Sequence, residues 1–282
     1  PLHYTFKINP SANEGFFLLY CILLINLKQL TMKKFLLTIL TLVFTINVNS
    51  QVVQTWNWTA NQGQSADFEK AVADKTKKYN SSKDGAVLYT FQINSGNQVG
   101  DYWRIRIENE LKDFDKQYPS GLKAMQNNAG KHGRVTNSSW YNIVERATHW
   151  PEGDNNWKKP LKRYFVYNYD GEHDADFWAF RYKVKGALEQ SGADVNMTTL
   201  QCFAGCQGNQ VMVIFSHSNF EDLQNDNSSE WAKVYEKYNE LYGVNYEADI
   251  SEFESSLTLG GFGRYSGTMV FKPEMSSPQE LK

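Results

Sequence analysis

Ala66-Asp67-Phe68 opens a run with helical spacing, and Gly96-Asn97-Gln98-Val99 follows it in the chain. Ala175-Asp176-Phe177 opens a second such run, and Gly208-Asn209-Gln210-Val211 follows that. The order and spacing match to within a few residues. A tandem duplication is the simplest account. The repeat constrains the fold and supplies no chemistry, because no catalytic or metal motif rises above background.

The elements around the first tract read in order. Val52 to Trp58 alternates and is β-prone, which predicts a strand. Gly63 breaks it, and Ser65 reads as the N-cap of a helix on which Phe68, Val72, Lys75 and Tyr79 recur. Ala86 to Ile93 predicts a strand, Asn94-Ser95-Gly96-Asn97 a turn, and Val99 to Ile107 the next strand. On that strand Trp103, Ile105 and Ile107 share one face, and Tyr102, Arg104 and Arg106 share the other. Asn109 to Gly133 is polar with room for a helix, and Ser139 to Val144 reads as a fourth strand.

Pro151 to Pro160 is rich in Pro, Gly, Asp and Asn and reads as a linker. The second round then begins. Lys162 to Tyr167 is a strand, and Asp174 caps a helix bearing Phe177, Phe180, Arg181, Val184 and Leu188. Thr198 to Phe203 and the apolar Val211 to His217 are strands, and Trp231 to Leu241 is a helix. Gly260 to Gly267 lacks a Gly-Lys-Ser/Thr ending and precedes a strand, so it is a turn and not a phosphate loop. Tyr265 to Lys272 closes the round.

Each half reads β-α-β-β-α-β, the split βαβ or ferredoxin-like arrangement. That order, with the two repeated tracts and the helix–hairpin spacing, resembles the antibiotic-biosynthesis-monooxygenase-like, or dimeric α/β-barrel, superfamily over most of Val52 to Lys272. The resemblance implies an α+β protein of two tandem ferredoxin-like (βαββαβ) halves, 51–155 and 160–275, packed sheet to sheet as a dimeric α/β-barrel-like unit. Some members of the superfamily are cofactor-free oxygenases, some degrade haem, and many have no known activity. Fold alone does not choose among them.

The segment before residue 51 is excluded from this reading. Met32, Lys33 and Lys34 precede an apolar run, Phe35 to Val48, that ends in Val48-Asn49-Ser50. These are the parts of a signal peptide spanning 32–50, cut before Gln51. Residues 1–31 read as an over-extension upstream of the true start, with an uncleaved membrane segment at the apolar Phe16 to Leu27 as the alternative. The expectation is an exported protein, secreted or periplasmic, with no stable membrane anchor after cleavage. A formal charge of −2 gives no reason to expect nucleic acid as a partner. Five Asn-x-Ser/Thr tracts, such as Asn57-Trp58-Thr59, matter only in a eukaryotic secretory pathway.

Cys202 and Cys206 are the cysteines left beyond residue 50. On one straight strand they would lie about 13 Å apart, beyond the bridging limit of ~7 Å. A disulfide therefore requires a bend at Phe203-Ala204-Gly205. Without a second pair they form no zinc signature.

Three readings of function remain open. The first is a binding module holding a small aromatic or anionic ligand between the sheets through Tyr102, Arg104 and Arg106. The second is a cofactor-free oxygenase or haem-degrading enzyme with His217, at a strand end, as its catalytic candidate. The third is a structural or interaction protein with a filled interior. Glu172-His173-Asp174-Ala175-Asp176 could hold a metal, but reads better as a helix start with acids that complement the helix dipole. No metal and no cofactor are expected. Aligning the Gly-Asn-Gln-Val tracts pairs Tyr102, Arg104 and Arg106 with Ile214, Ser216 and Ser218, so a pocket is expected in the first half.

Overall fold

The computed structural model describes residues 51–82, 84–151, 159–225, 228–258 and 263–278. The expected leader, the upstream extension and most of the linker lie outside them. The described residues include eight strands: β1 Val52–Ala60, β2 Leu88–Ser95, β3 Tyr102–Glu108, β4 Gly133–Ile143, β5 Leu161–Tyr169, β6 Met197–Ala204, β7 Asn209–His217 and β8 Arg264–Phe271. The helices are α1 Ser65–Tyr79, α2 Pro119–Asn127, α3 Asp174–Ser191, α4 Phe220–Asn225, α5 Ser228–Tyr242 and α6 Tyr246–Ser255. None of the described helices is long and apolar enough to cross a membrane.

The strands form one closed antiparallel barrel in the order β1-β3-β2-β8-β5-β7-β6-β4. Within 52–143 the neighbours run β4-β1-β3-β2, and within 161–271 they run β8-β5-β7-β6. Two seams close the ring. Phe91 to Ser95 of β2 pair with Phe271 to Thr268 of β8, and Trp140 to Ile143 of β4 pair with Ala204 to Leu200 of β6. Both carry a register irregularity.

The period-two alternation of the strands decides what fills the barrel. Val53, Tyr89, Phe91, Ile105, Ile107, Ile143, Leu200 and Ile214 form a buried cluster drawn from strands alone. The outer faces are covered by helices. Phe68 and Val72 of α1 and Met125 of α2 pack with Tyr102. Burying each such side chain contributes roughly 1.5–3 kcal/mol. Over the second half Phe177, Val184 and Leu188 of α3, Tyr238 of α5 and Phe253 of α6 pack on Val211 and Val213.

This corrects the sequence reading on several points. Trp103, Ile105 and Ile107 point into the barrel, so Tyr102, Arg104 and Arg106 point outward, toward the helices. The Gly-Asn-Gln-Val tracts are not in equivalent backbone register either. The first is a turn ahead of β3, whereas Asn209 already begins β7. Aligning them set the outward Tyr102 against the inward Ile214, because a one-residue slip exchanges every face. Helix α1 starts at Ser65 itself, with Gln64 as the N-cap residue. Likewise Asp174 is the first residue of α3, after His173.

Cys202 and Cys206 form a disulfide with their Cα atoms 6.4 Å apart. The bend that allows it sits at Gly205, whose φ of +81° is in the left-handed region. The loop it closes is short, so the expected gain is small. Replacing both cysteines by serine should cost about 2 kcal/mol and lower Tm by roughly 4–8 °C, read by calorimetry.

Candidate functional site

The outer face of β1, β3 and β4, roofed by the end of α1 and the start of α2, encloses a cavity of about 810 Å³. Its described lining residues all fall within 54–140. Trp56, Trp58 and Trp140 stand on the sheet, Phe114 and Tyr118 come from the connection after β3, and Leu122 and Met125 from α2. Lys75, Lys78, Arg104, Arg106 and Lys116 supply positive charge, and Asp84 is the carboxylate in the same lining.

Arg104 lies deepest, 3 % exposed. Its Nη1 donates to Thr90 Oγ1 at 2.9 Å and to the Met275 carbonyl at 2.9 Å. Its Nη2 donates to Thr76 Oγ1 at 3.0 Å. These partners are neutral, so they solvate the guanidinium without cancelling its charge. Burial pulls its pKa down to about 10, so it stays charged at neutral pH.

Lys75 sits beside it, also buried. Its Nζ donates to Asn80 Oδ1 at 2.5 Å, and Asn80 is fixed by its own bond to the Ala86 carbonyl. Helix α2 crosses over this lysine at Gly121, where a Cβ would stand 3.7 Å from Lys75 Cε. Burial first, and the Arg104 charge second, hold the Lys75 ammonium down to a pKa of about 7.

Arg106 is nearer the mouth. It pairs with Glu108 Oε1 at 2.7 Å and donates to the Asp113 carbonyl at 3.0 Å. Its guanidinium lies 4.5 Å from the Phe114 ring centroid and 5.2 Å from that of Tyr118. Tyr102 is not part of this lining. Its hydroxyl donates to Glu69 Oε1 at 2.9 Å, and burial with that bond pushes its pKa far up. Of the three residues expected to hold a ligand, two meet at the cavity and one is tied to α1.

His217 lies elsewhere. It is buried on the outward face of β7, with Nδ1 4.0 Å from Asp222 Oδ1, and it lines neither this cavity nor the barrel mouth. Among the described residues no group of three or more His, Cys, Asp or Glu could hold a metal ion. The Glu172–Asp176 cluster forms a turn capped by Asp170, whose Oδ1 accepts from the Glu172 N–H, and His173 Nδ1 lies 3.3 Å from Asp176 Oδ2.

Sequence reasoning placed Lys75 on the buried stripe of its helix without weighing it as a site residue. A lysine in register with Phe68 and Val72 was the available signal.

The sign of the Lys75 effect on stability is fixed by its lowered pKa. Between pH 7 and 10 an unfolded chain keeps the proton that folded Lys75 has released, so stability from this group rises with pH. Below pH 7 both states hold the proton and the full penalty is present. Lys75→Met should flatten that rise and raise stability at pH 7 by on the order of 2 kcal/mol, after loss of the Asn80 bond. Urea melts at pH 6, 7, 8.5 and 10 give the comparison.

No protein-family model matches this sequence, and no characterised protein matches it significantly. Solved structures do. An anthrone oxidase-like protein superposes with TM-score 0.52 at 11 % identity, over 80 % of this chain and 92 % of that one. A candidate monooxygenase from Fusobacterium nucleatum superposes with TM-score 0.50 at 11 % identity, over 79 % and 92 %. A chlorite dismutase from Candidatus Nitrospira defluvii gives 0.46 at 11 %, over 82 % and 93 %. The first two likenesses show that the chain shares its fold with those proteins.

Proposed function

We propose that the protein binds a small aromatic anion in the sheet–helix cavity of its first half. One observation carries this reading. Two buried basic groups, Lys75 and Arg104, stand side by side with neutral hydrogen-bond partners, at the wall of a cavity that also presents Trp56, Trp58, Trp140, Phe114 and Tyr118. An anionic group would offset the charge, and an aromatic body would cover the rings. The ligand space lies between sheet and helices, not between sheets.

A second reading, a cofactor-free oxygenase, draws support from Lys75. An amine with a pKa of about 7 is half unprotonated at neutral pH. It can take a proton from an acidic phenol or anthrone, and Arg104 can hold the anion that remains. The anthrone oxidase-like neighbour is in keeping with such a substrate class. In this reading the catalytic role passes from His217 to Lys75.

The halves 51–155 and 160–275 are taken as tandem ferredoxin-like copies, on the strength of their shared strand order. Export with cleavage before Gln51 is taken as well, supported by a disulfide, which is commonest in oxidising compartments.

The test is a thermal-shift screen of salicylate, 4-hydroxybenzoate and hydroxyanthraquinones on protein beginning at Gln51. A ligand at 100 times its Kd should add about 2.7 kcal/mol of stability. Arg106→Gln should weaken the shift, and Lys75→Met should abolish it for anions. Stabilisation unchanged by both variants overturns the site. Oxygen uptake on a hit, lost in Lys75→Met, selects the enzyme.

A further inference from the structure

The barrel has a second cavity, of about 800 Å³, at one open end. It lies on the inner side of the strands and, among the described residues, shares no lining residue with the first. The inward positions change character as they approach this end. On β1 they run Val53, Thr55, Asn57, on β5 Tyr164, Val166, Asn168, and on β7 Ile214, Met212, Gln210. A polar rim is what any solvated barrel end requires. A carboxamide rim is more particular, because lysine and glutamate would solvate it as well.

The repeated Gly-Asn-Gln-Val tracts, which the aromatic-anion site does not use, both end here. Asn97 and Gln98 line the cavity from one hairpin, Asn209 and Gln210 from the other. Each glutamine meets an asparagine on the first strand of its own half. Asn57 Nδ2 donates to Gln98 Oε1 at 2.8 Å, and Gln210 Nε2 donates to Asn168 Oδ1 at 3.2 Å. The backbones differ in register, yet the side chains arrive at the same pairing. A carboxamide carries two N–H donors and one carbonyl, so each pair holds further donors and acceptors to offer.

Below the rim stand Trp103, Tyr141 and Tyr164. Burial pushes the hydroxyls of both tyrosines up to about 12, so they stay neutral. Arg264 is the charged side chain of this lining, 3.8 Å from Glu254. Neutral groups that both donate and accept, set beside aromatic rings, match a ligand that is itself neutral, rich in hydroxyls and flat on its C–H faces.

From this juxtaposition of two Asn–Gln pairs above three aromatic rings, we propose that the open end of the barrel is a binding site for a neutral mono- or disaccharide. It is separate from the cationic cavity and independent of the reading given to it.

The experiment is isothermal titration of the protein beginning at Gln51 with glucose, maltose, cellobiose and N,N′-diacetylchitobiose, with glucuronate as the charged control. At least one neutral sugar should bind below millimolar, with affinity unchanged between 50 and 500 mM salt. Asn57→Ala with Gln210→Ala should weaken it at least tenfold while Arg106→Gln leaves it intact. Should the double variant fail to fold, Asn97→Ala, in the turn before β3, with Asn209→Ala, at the start of β7, replaces it with the same expectation. Absence of sub-millimolar binding by every neutral sugar overturns the proposal. So does tighter binding of glucuronate, or loss of sugar binding in Arg106→Gln.

Discussion

Arg181→Ala should lower Tm by about 8–16 °C, corresponding to about 4 kcal/mol in a domain of this size. The guanidinium of this buried residue is caged by rings. It lies 4.4 Å from the centroid of Tyr167, 4.6 Å from Phe253, 5.6 Å from Phe180 and 5.8 Å from Phe177. Desolvated contacts of this kind contribute about 2 kcal/mol or more, and truncation leaves a void lined by aromatic faces. Among the described residues Arg181 Nε has no hydrogen-bond partner. Arg181→Met fills the space without the charge and should cost about half as much as alanine, the cation–ring part alone. Thermal melts of the two variants, with near-ultraviolet circular dichroism to follow the rings, give the comparison. Equal losses would mean the charge, not the volume, holds the cluster.

Arg104→Ala should cost about 3 kcal/mol, or roughly 6–12 °C in Tm. The loss comes mainly from the hydroxyl oxygens of Thr90 and Thr76, whose donor is gone, while the Met275 carbonyl loses Arg104 but keeps the Thr90 and Thr76 hydroxyls as donors. Met275 follows β8, so the bond also ties the end of the described chain to β3. Arg104→Lys keeps the charge but not the fork, and should fall between. Because Arg104 also lowers the Lys75 pKa, the alanine variant should weaken the rise of stability between pH 7 and 10. A stability loss with an unaltered pH profile would show that the two cations do not sense each other.

The strands and the main helices were legible because their signals are local. Alternation in Val52 to Trp58 and the stripe of Phe68, Val72, Lys75 and Tyr79 report β1 and α1 from neighbouring residues alone. Helix α6 was legible too, through Asn245 as its cap and Tyr246, Ile250 and Phe253 at helical spacing, yet it was passed over. What local signals could not give was which face of β3 is inner. Trp103, Ile105 and Ile107 suit a barrel interior or a helix-covered face equally, and closure of the ring decides between them. The cationic cavity follows from that choice. Arg104 and Arg106 were read as ligand candidates from charge on a strand. Lys75 was missed because Arg104, whose charge helps lower its pKa, meets it only after α1 packs on the sheet, although Asn80 is a local partner at the helix end.

Both seams of the barrel join parts of one polypeptide. A ring assembled from two separate chains would gain stability with protein concentration, since its closure would be a bimolecular event. Here each seam is held at the effective concentration set by the connecting chain. Ring closure therefore carries no dilution term, and the short pairings of β2 with β8 and β4 with β6 suffice where a dissociable interface would need far more buried surface. Cutting the chain between β4 and β5 would restore that term, and the barrel would then come apart on dilution.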